Sequence, residues 1–392
     1  MAERLILTGG DIIQGESILP GYALVIEGST IQEVLPLANI VPTIDDRVIF
    51  CDGGIICPGF IDIHNQGGGG FSVLDASDES IDGLAKAHGD HGTTGLLLTP
   101  PVFKNGFESL LPELARHVGR NTGGAGILGI HAEGPFINTA KQGCMPDDGF
   151  MAPDMDILGR ILDSADGRIV EMTIAPELPG ALDLVAELAR RDVVPSLGHS
   201  DATLTDVLRA IDNGASHVTH YFNCISPIHH REPGLAGVAL YSSDLSVELI
   251  ADGYHVHPWM LGLTVHVKKP SHTCLITDAM SVAGLPDGEY VSLGQKVRLS
   301  EGRLALADHP ETLAGSVLTM DRAVNNMVRM TGMELTDAVT MASTTPAAVL
   351  GLEHRKGLLS SGYDADIAVL DRSYMNVLTI VGGKIVYNAL EK

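Results

Sequence analysis

Two histidines, His199 and His220, stand at the ends of a predicted strand–helix–strand unit, and their spacing suits metal chemistry. Short apolar runs at 193–197 and 216–219 lead into them. Between these runs, residues 204–211 carry apolar side chains at i, i+3, i+4 and i+7, the spacing of a helix packed on one face. If the two strands are parallel neighbours in a barrel, both imidazoles emerge at its C-terminal mouth. They predict a metal site that still needs a third ligand.

A third ligand candidate ends another apolar run, residues 127–133. By strand alternation, His131 and Glu133 share a face, and Glu133 is nearer the end of the run. Glu133 with His199 and His220 would give three protein ligands and one position for water, as in catalytic zinc sites. We expect His131 to be a buried supporting residue.

Asp278 is the candidate for proton transfer, because it ends the last apolar run, 274–278. A metal lowers the pKa of its bound water to about 7. A carboxylate within one hydrogen bond can then accept that proton and deliver it to a leaving amine. The alternative role for Asp278 is to cap the N-terminus of a helix.

Eight short apolar runs recur through the middle of the chain, and most are followed by helix-like segments. They are residues 59–64, 95–99, 127–133, 170–175, 193–199, 216–220, 246–251 and 274–278. Eight is the count of a closed (β/α)₈ TIM-like barrel. A doubly wound open sheet is the alternative, but the first strand lacks the G-x-G-x-x-G fingerprint. We expect Asp201 to cap the helix between the two histidines.

Both ends of the chain are rich in short apolar runs separated by turn residues, a pattern typical of antiparallel strands. The N-terminal runs are residues 5–7, 23–26, 31–35 and 48–50, and the C-terminal runs are 365–370 and 378–386, with a turn at Gly382-Gly383. We predict an α/β protein in which both ends form one small β-sandwich. The predicted domains are 1–54 and 357–392 for the sandwich and 55–356 for the barrel.

The charge and cysteine content of the chain limit the kinds of molecule that it can bind and the compartment in which it is expected. The chain has 25 basic and 49 acidic residues, a formal net charge of −24, which argues against nucleic acid. An anionic substrate would need a local positive pocket to overcome this field. The five scattered cysteines indicate reduced thiols. With neither a signal-peptide pattern nor a membrane-spanning run, we expect a cytoplasmic protein without a membrane partner.

The sequence resembles the amidohydrolase superfamily and, within it, the N-acetylglucosamine-6-phosphate deacetylases, over nearly its whole length. The motifs are P-G-F-I-D-I-H (58–64), H-A-E-G-P (131–135), G-H-S-D-A-T (198–203), T-H-Y-F-N (219–223), R-E-P-G-L-A-G (231–237), A-D-G-Y-H (251–255), T-D-A (277–279) and G-S-V-L-T-M (315–320). H-A-E-G-P together with R-E-P-G-L-A-G points to the deacetylase branch. The segments T-P-A-A-V-L-G-L (345–352) and G-L-L-S-S-G-Y-D-A-D-I (357–367) match the superfamily's exit from the barrel.

The resemblance implies site residues in this chain. Glu133, His199 and His220 would bind one catalytic divalent metal, most simply Zn²⁺, and Asp278 would be the acid/base. Substrate-binding roles would fall to Asn223, the backbone of Cys224, Arg231 and His255. His255 would lie near the interface of a homodimer whose sites are completed across subunits.

A local cationic cluster agrees with the role that the resemblance gives Arg231. His229, His230 and Arg231 adjoin on one predicted loop, and the arginine fork suits a phosphate. The alternative role for Arg231 is a surface ion pair with Glu232.

Two departures from the family pattern bear on the site. Amidohydrolases often carry H-x-H after the first strand to bind a second metal, whereas this chain has His64-Asn65-Gln66. We expect one tightly bound metal, with His64 contacting the substrate or, together with Gln66, a weak second ion. The family also shows K-G-x-H, whose histidine polarises the scissile carbonyl, but Met145 occupies that place. A thioether cannot donate a hydrogen bond to an oxyanion, so His64 or a second metal must substitute, or the substrate differs.

The resemblance therefore predicts a metal-dependent deacetylase that releases acetate from N-acetylglucosamine 6-phosphate. Alternatives within the class are N-acetylgalactosamine 6-phosphate, another acylated amino sugar, or an N-acyl amino acid. An inactive regulator that binds sugar phosphates is the alternative from another class.

Overall fold

The computed structural model describes residues 4–103, 106–145 and 149–390. Its central feature is a sheet of eight parallel strands whose order follows the chain. These strands, β1 to β8, are Phe60–Asp62, Thr93–Leu98, Gly126–Glu133, Ile169–Ile174, Val194–Leu197, His217–Val218, Ser246–Ile250 and Thr273–Ile276. Every predicted barrel strand overlaps one of them. The predicted (β/α)₈ barrel is confirmed, and the doubly wound alternative is wrong.

Within the described residues, one helix follows each barrel strand, and two more complete the helical part. Helices α1 to α10 are Asp78–Gly89, Phe107–Ala115, Met155–Ser164, Ala181–Arg190, Leu204–Asp212, Gly234–Tyr241, Pro258–Lys268, Met320–Thr331, Leu335–Ala342 and Thr344–Val349. The prediction that Asp201 caps α5 is wrong. Thr203 is the cap, because its hydroxyl accepts from the Asp206 N–H in a capping box.

Three of the predicted site residues lie just beyond the ends of their strands. β5, β6 and β8 end at Leu197, Val218 and Ile276, and His199, His220 and Asp278 follow with positive φ angles of 46°, 29° and 49°. Such left-handed backbone is uncommon for residues other than glycine and is concentrated at functional sites. Here it turns each side chain across the barrel mouth.

The seam between the first and last strands is closed by a side chain as well as by the backbone. The carboxylate of Asp62, at the end of β1, accepts from the backbone N–H of Thr277 at 3.1 Å and from its hydroxyl at 2.6 Å. One residue later, the Asp278 N–H donates to the His64 carbonyl at 3.0 Å. These bonds fix the backbone of Asp278 beside the first strand.

The two chain ends form the predicted second layer. One sheet contains Thr30–Pro36, Tyr22–Glu27, Arg4–Thr8 and Arg47–Phe50, in that order. The other contains Lys384–Asn388, Asn376–Val381, Ile367–Leu370, Ile55–Pro58, Asp11–Gln14 and Ser17–Leu19. Buried side chains of both sheets, including Leu7, Leu24, Ile56, Val369 and Ile380, form one apolar cluster. N- and C-terminal strands therefore fold as one β-structure.

The prediction that the N-terminal strands are all antiparallel is wrong for two pairs. Arg4–Thr8 is parallel to Arg47–Phe50, and Asp11–Gln14 is parallel to Ile55–Pro58. Strand spacing in sequence does not reveal such non-local pairing. The domain boundaries at 54/55 and 356/357 stay a prediction, and residues 1–3 and 391–392 of those domains lie outside the described part.

A three-stranded sheet between β8 and α8 was not predicted. Its strands are Gly288–Ser292, Gln295–Ser300 and Arg303–Leu306. Gly67–Gly68 and Phe71–Ser72 form a small hairpin, and 3₁₀ turns occupy Leu37–Asn39, Val73–Asp75, Thr139–Lys141 and Pro270–His272. Within the described ranges, the helices are all too short or too polar to cross a membrane.

Candidate active site

Glu133, His199 and His220 converge at the barrel mouth. Oε1 of Glu133 lies 3.1 Å from Nε2 of His199 and 3.2 Å from Nε2 of His220, and the two nitrogens are 2.9 Å apart. All three side chains are buried. Ligands about 2.0–2.1 Å from a tetrahedral zinc lie roughly 3.3 Å from one another. Both the donor types and their separations therefore fit a divalent metal.

The hydrogen bonds around these groups prepare them as ligands. Nδ1 of His199 donates to the Lys141 carbonyl at 2.7 Å, which leaves the Nε2 lone pair for a metal. Burial alone would raise the pKa of Glu133. The charge of His64 instead holds that pKa well below its usual range. Glu133 is therefore ionised, as a ligand must be.

Asp278 lies on the same wall, and its neighbours come from the first strand's loop. Its Oδ1 atom accepts from Nε2 of Gln66 at 3.4 Å and lies 3.5 Å from Nε2 of His64. Burial raises the pKa of Asp278. A raised pKa suits a group that must accept a proton and later return it.

Gln66 lies on the surface of the pocket, whereas His64 is buried behind it. Nε2 of Gln66 donates to Oε2 of Glu133 at 3.0 Å, and Gln66 lines the pocket. His64 is fully buried behind that wall, with Nδ1 3.0 Å from Oε2 of Glu248 and Nε2 3.6 Å from Oε1 of Glu133. The structure thus places His64 beside the metal ligands but not on the pocket surface.

A pocket of about 270 Å³ opens above the three ligands. Its wall includes nine predicted site residues: Gln66, Glu133, Met145, His199, His220, Asn223, Cys224, His255 and Asp278. Met145 is 4 % exposed and stands on this wall, where it offers a thioether. The pocket therefore combines a metal-ligand set, an acid/base candidate and groups that can bind a substrate.

His255 supplies the pocket's cationic character. Its Nδ1 atom lies 2.6 Å from Oδ2 of Asp252. Burial alone would lower the pKa of His255, but the hydrogen bond and charge of Asp252 outweigh it and the pKa is raised. No lysine or arginine of the described residues lines this pocket.

Arg231 does not reach the pocket of its own chain. It is exposed, and its Nη1 atom lies 2.8 Å from Nε2 of His230. The carboxylate of Glu232 accepts instead from the Leu204 N–H at 2.7 Å, so the alternative ion pair is not formed. The cationic loop projects outward.

Sequence reasoning missed a polar cluster inside the barrel, beneath the site. Glu171, His217 and Glu248 are fully buried there, beside His131, whose imidazole bonds the Thr173 hydroxyl at 2.8 Å as a supporting residue. Burial and the neighbouring Glu248 raise the pKa of Glu171 well above its usual range. The pKa of Glu248 is instead lowered, because the charge of His64 outweighs burial. A glutamate in the middle of an apolar strand was the available signal.

Comparison with known proteins gives a consistent family. The sequence model of the amidohydrolase family matches residues 55–386. The N-acetylglucosamine-6-phosphate deacetylase of Bacillus subtilis is 35% identical over 100% of this chain and 99% of its own length. The N-acetylgalactosamine-6-phosphate deacetylase of Escherichia coli O157:H7 is 36% identical over 82% of this chain and 84% of its own.

Solved structures agree with the sequence comparison. A point mutant of Mycobacterium smegmatis N-acetyl-D-glucosamine-6-phosphate deacetylase, in complex with N-acetyl-D-glucosamine-6-phosphate, superposes with a TM-score of 0.91 at 32% identity. It covers 98% of this chain and 100% of that one. The Thermotoga maritima deacetylase gives a TM-score of 0.84 at 30% identity, covering 98% and 99%. The chain therefore belongs to the amidohydrolase family, hydrolases of amide C–N bonds, and within it to the N-acetylglucosamine-6-phosphate deacetylases.

Proposed function

We propose that this chain hydrolyses the acetamide of N-acetylglucosamine 6-phosphate to glucosamine 6-phosphate and acetate. The observation that carries the proposal is the convergence of Glu133, His199 and His220 with Asp278 on one pocket wall. The three ligands would hold one divalent metal, most simply zinc, because two imidazoles and a carboxylate are a catalytic zinc set. When bound, the metal supplies Lewis acidity that activates water.

The residues of the chain then move the proton. Asp278 accepts it from the attacking water and donates it to the leaving nitrogen. The hydrogen bonds of the closed seam keep Asp278 facing the ligands while it changes protonation state. Gln66 presents its amide N–H between the two carboxylates, where it also touches the pocket. With Met145 in place of a donor, Gln66, which lines the pocket, would polarise the carbonyl, or a weak second ion held by Gln66 and the buried His64 would serve the same end.

The phosphate would bind to donors elsewhere on the pocket wall. Asn223, the backbone N–H of Cys224 and the cationic His255 offer donors there. A second copy of the chain would bring Arg231, which is exposed and outside its own pocket. We propose a homodimer on this basis, since a −24 chain needs an additional cation for a dianion.

An exposed apolar stripe on α7 supports the same assembly. Trp259, Leu263 and Val267 are 83%, 42% and 42% exposed and recur every four residues, so they share one helix face. This face begins four residues after His255. A large apolar stripe beside a substrate-binding loop fits burial against a second copy.

The alternative substrates remain within the same chemistry. One relative of similar identity is an N-acetylgalactosamine-6-phosphate deacetylase, so the galacto epimer is the first alternative to test. We also propose a cytoplasmic location, which the five unpaired thiols support.

Acetate release by zinc-loaded protein tests the proposal. N-Acetylglucosamine 6-phosphate should be turned over, and unphosphorylated N-acetylglucosamine should be a poor substrate. Faster turnover of N-acetylgalactosamine 6-phosphate would move the assignment to that epimer. Activity confined to N-acyl amino acids, or binding of sugar phosphate without turnover, would reject it.

A further inference from the structure

Glu248, in the middle of β7, makes two hydrogen bonds with one oxygen. Its Oε2 atom lies 3.0 Å from Nδ1 of His64 and accepts from the backbone N–H of His220 at 2.7 Å. The carboxylate and the His64 ring are both fully buried. One buried acceptor therefore joins the first strand's histidine to the backbone of a candidate metal ligand.

The bond to His64 determines which ring nitrogen faces the site. A carboxylate accepts, so Nδ1 must carry the proton that it shares with Glu248. Nε2 then points the other way, 3.6 Å from Oε1 of Glu133 and 3.5 Å from Oδ1 of Asp278. Without this acceptor, neither the proton on Nδ1 nor the orientation of the ring is fixed.

The bond to His220 acts on the backbone. His220 has a φ of 29°, a left-handed conformation that is strained for a residue other than glycine. A charge-assisted bond from its N–H to a buried carboxylate is among the stronger hydrogen bonds. It offsets that strain and holds the side chain against His199, whose Nε2 lies 2.9 Å away.

We propose that Glu248 is a positioning residue of the active site, which fixes the ring orientation of His64 and the backbone of His220. It touches neither the pocket nor the reacting atoms. Its consequence for turnover rests on the proposed deacetylase function, whereas its consequences for His64 and for metal retention do not.

Glu171 is a matched control in the same cluster. It is also a fully buried glutamate on a barrel strand, with a carboxylate oxygen 3.9 Å from Nε2 of His217, and Glu248 has an oxygen 3.7 Å from that same atom. Among the described residues, neither oxygen of Glu171 accepts a hydrogen bond from His64 or from the backbone of His220. Replacing it removes a buried carboxyl group without removing an acceptor for His64 or His220.

The experiment compares Glu248→Met, Glu171→Met and Glu248→Gln in zinc-loaded protein. Glu248→Met should lower kcat or zinc affinity about 10–100-fold, the usual effect of losing a residue that orients ligands. Glu171→Met should retain both values. Glu248→Gln should recover most of the loss, because its amide oxygen can occupy the Oε2 position and accept both bonds. Equal losses in the two methionine variants would overturn the proposal.

Nuclear magnetic resonance of ¹⁵N-histidine protein gives a readout that needs neither turnover nor a folded Glu248 variant. In the zinc-loaded parent, the His64 resonance, assigned from its absence in a His64→Asn sample, should show a protonated Nδ1. An unprotonated Nδ1 in the parent would reject the role of Glu248 even if Glu248→Met fails to fold. Absence of acetate release by the parent would reject the proposed function instead and leave this measurement intact.

Discussion

Nε2 of His199 and Nε2 of His220 lie 2.9 Å apart, with Oε1 of Glu133 about equally close to both. His199 already donates from Nδ1 to the Lys141 carbonyl. Two nitrogen lone pairs that face each other at this distance repel unless a proton or a cation lies between them. A divalent ion satisfies all three groups at once.

Metal removal should therefore abolish turnover and lower the melting temperature. A ligand present at 1,000 times its Kd adds about 4 kcal/mol to the free energy of unfolding. Chelator-treated protein should regain activity with one equivalent of zinc per chain, as measured by elemental analysis. A requirement for two tightly bound equivalents would contradict the single-metal prediction.

Asp278→Asn should separate proton transfer from metal binding. The amide cannot accept the water's proton, so kcat should fall about 10²–10⁴-fold. Zinc content should remain that of the parent, because Asp278 is outside the convergent ligand set. Retained turnover with normal zinc would show that another group is the base.

Mixed subunits test whether Arg231 serves the neighbouring chain. Arg231→Ala and Asp278→Asn should each be nearly inactive alone. If the arginine acts across a dimer, random mixing restores one intact site in each heterodimer, about a quarter of parental activity. Mixtures that stay inactive, although native mass spectrometry shows heterodimers, would place Arg231 outside the partner's site.

The candidate site could be predicted from the sequence where a side chain follows an apolar run. Glu133, His199, His220 and Asp278 all stand at such positions, and the closed barrel brings them to one mouth. The same logic could not find Glu248, since a residue in mid-strand gains its meaning from neighbours on other strands. Its partner His64 lies 184 residues away in the chain.

The two parallel strand pairs near the N-terminus were not predicted for the same reason: they join residues that are far apart in the chain. Alternation and turn residues predicted the terminal strands, but they do not specify which strand lies beside which. Arg47–Phe50 runs parallel to Arg4–Thr8, although two antiparallel pairs of strands separate them in the chain. Arg231 could be identified as cationic, yet its distance from its own pocket follows from the loop's course and not from residue type.

The pH dependence of KM should report on His255. Asp252 raises the pKa of His255, so the protonated ring is present below that pKa and is lost as the pH rises through it. KM for the phosphorylated substrate should therefore rise by roughly tenfold toward alkaline pH, as a charge-assisted bond is lost. Asp252→Asn should move this rise to lower pH, and it should leave the KM of the unphosphorylated sugar unchanged. If the rise in KM occurs at the same pH in Asp252→Asn as in the parent, His255 does not bind the phosphate.

Met145→His tests what the thioether has replaced. Met145 is 4 % exposed on the pocket wall, so an imidazole there could donate to the developing oxyanion. One such donor contributes about 10²–10³-fold in rate where no other group supplies it. A large gain in kcat in Met145→His would show that the parent works without this donor. His64→Ala should then change kcat little. No gain, together with a loss of orders of magnitude in His64→Ala, would assign the polarising role to the His64 side of the site. If His64→Ala contains less zinc than the parent, its loss of kcat would instead be due to loss of the metal. Both variants therefore need elemental analysis beside their kinetics.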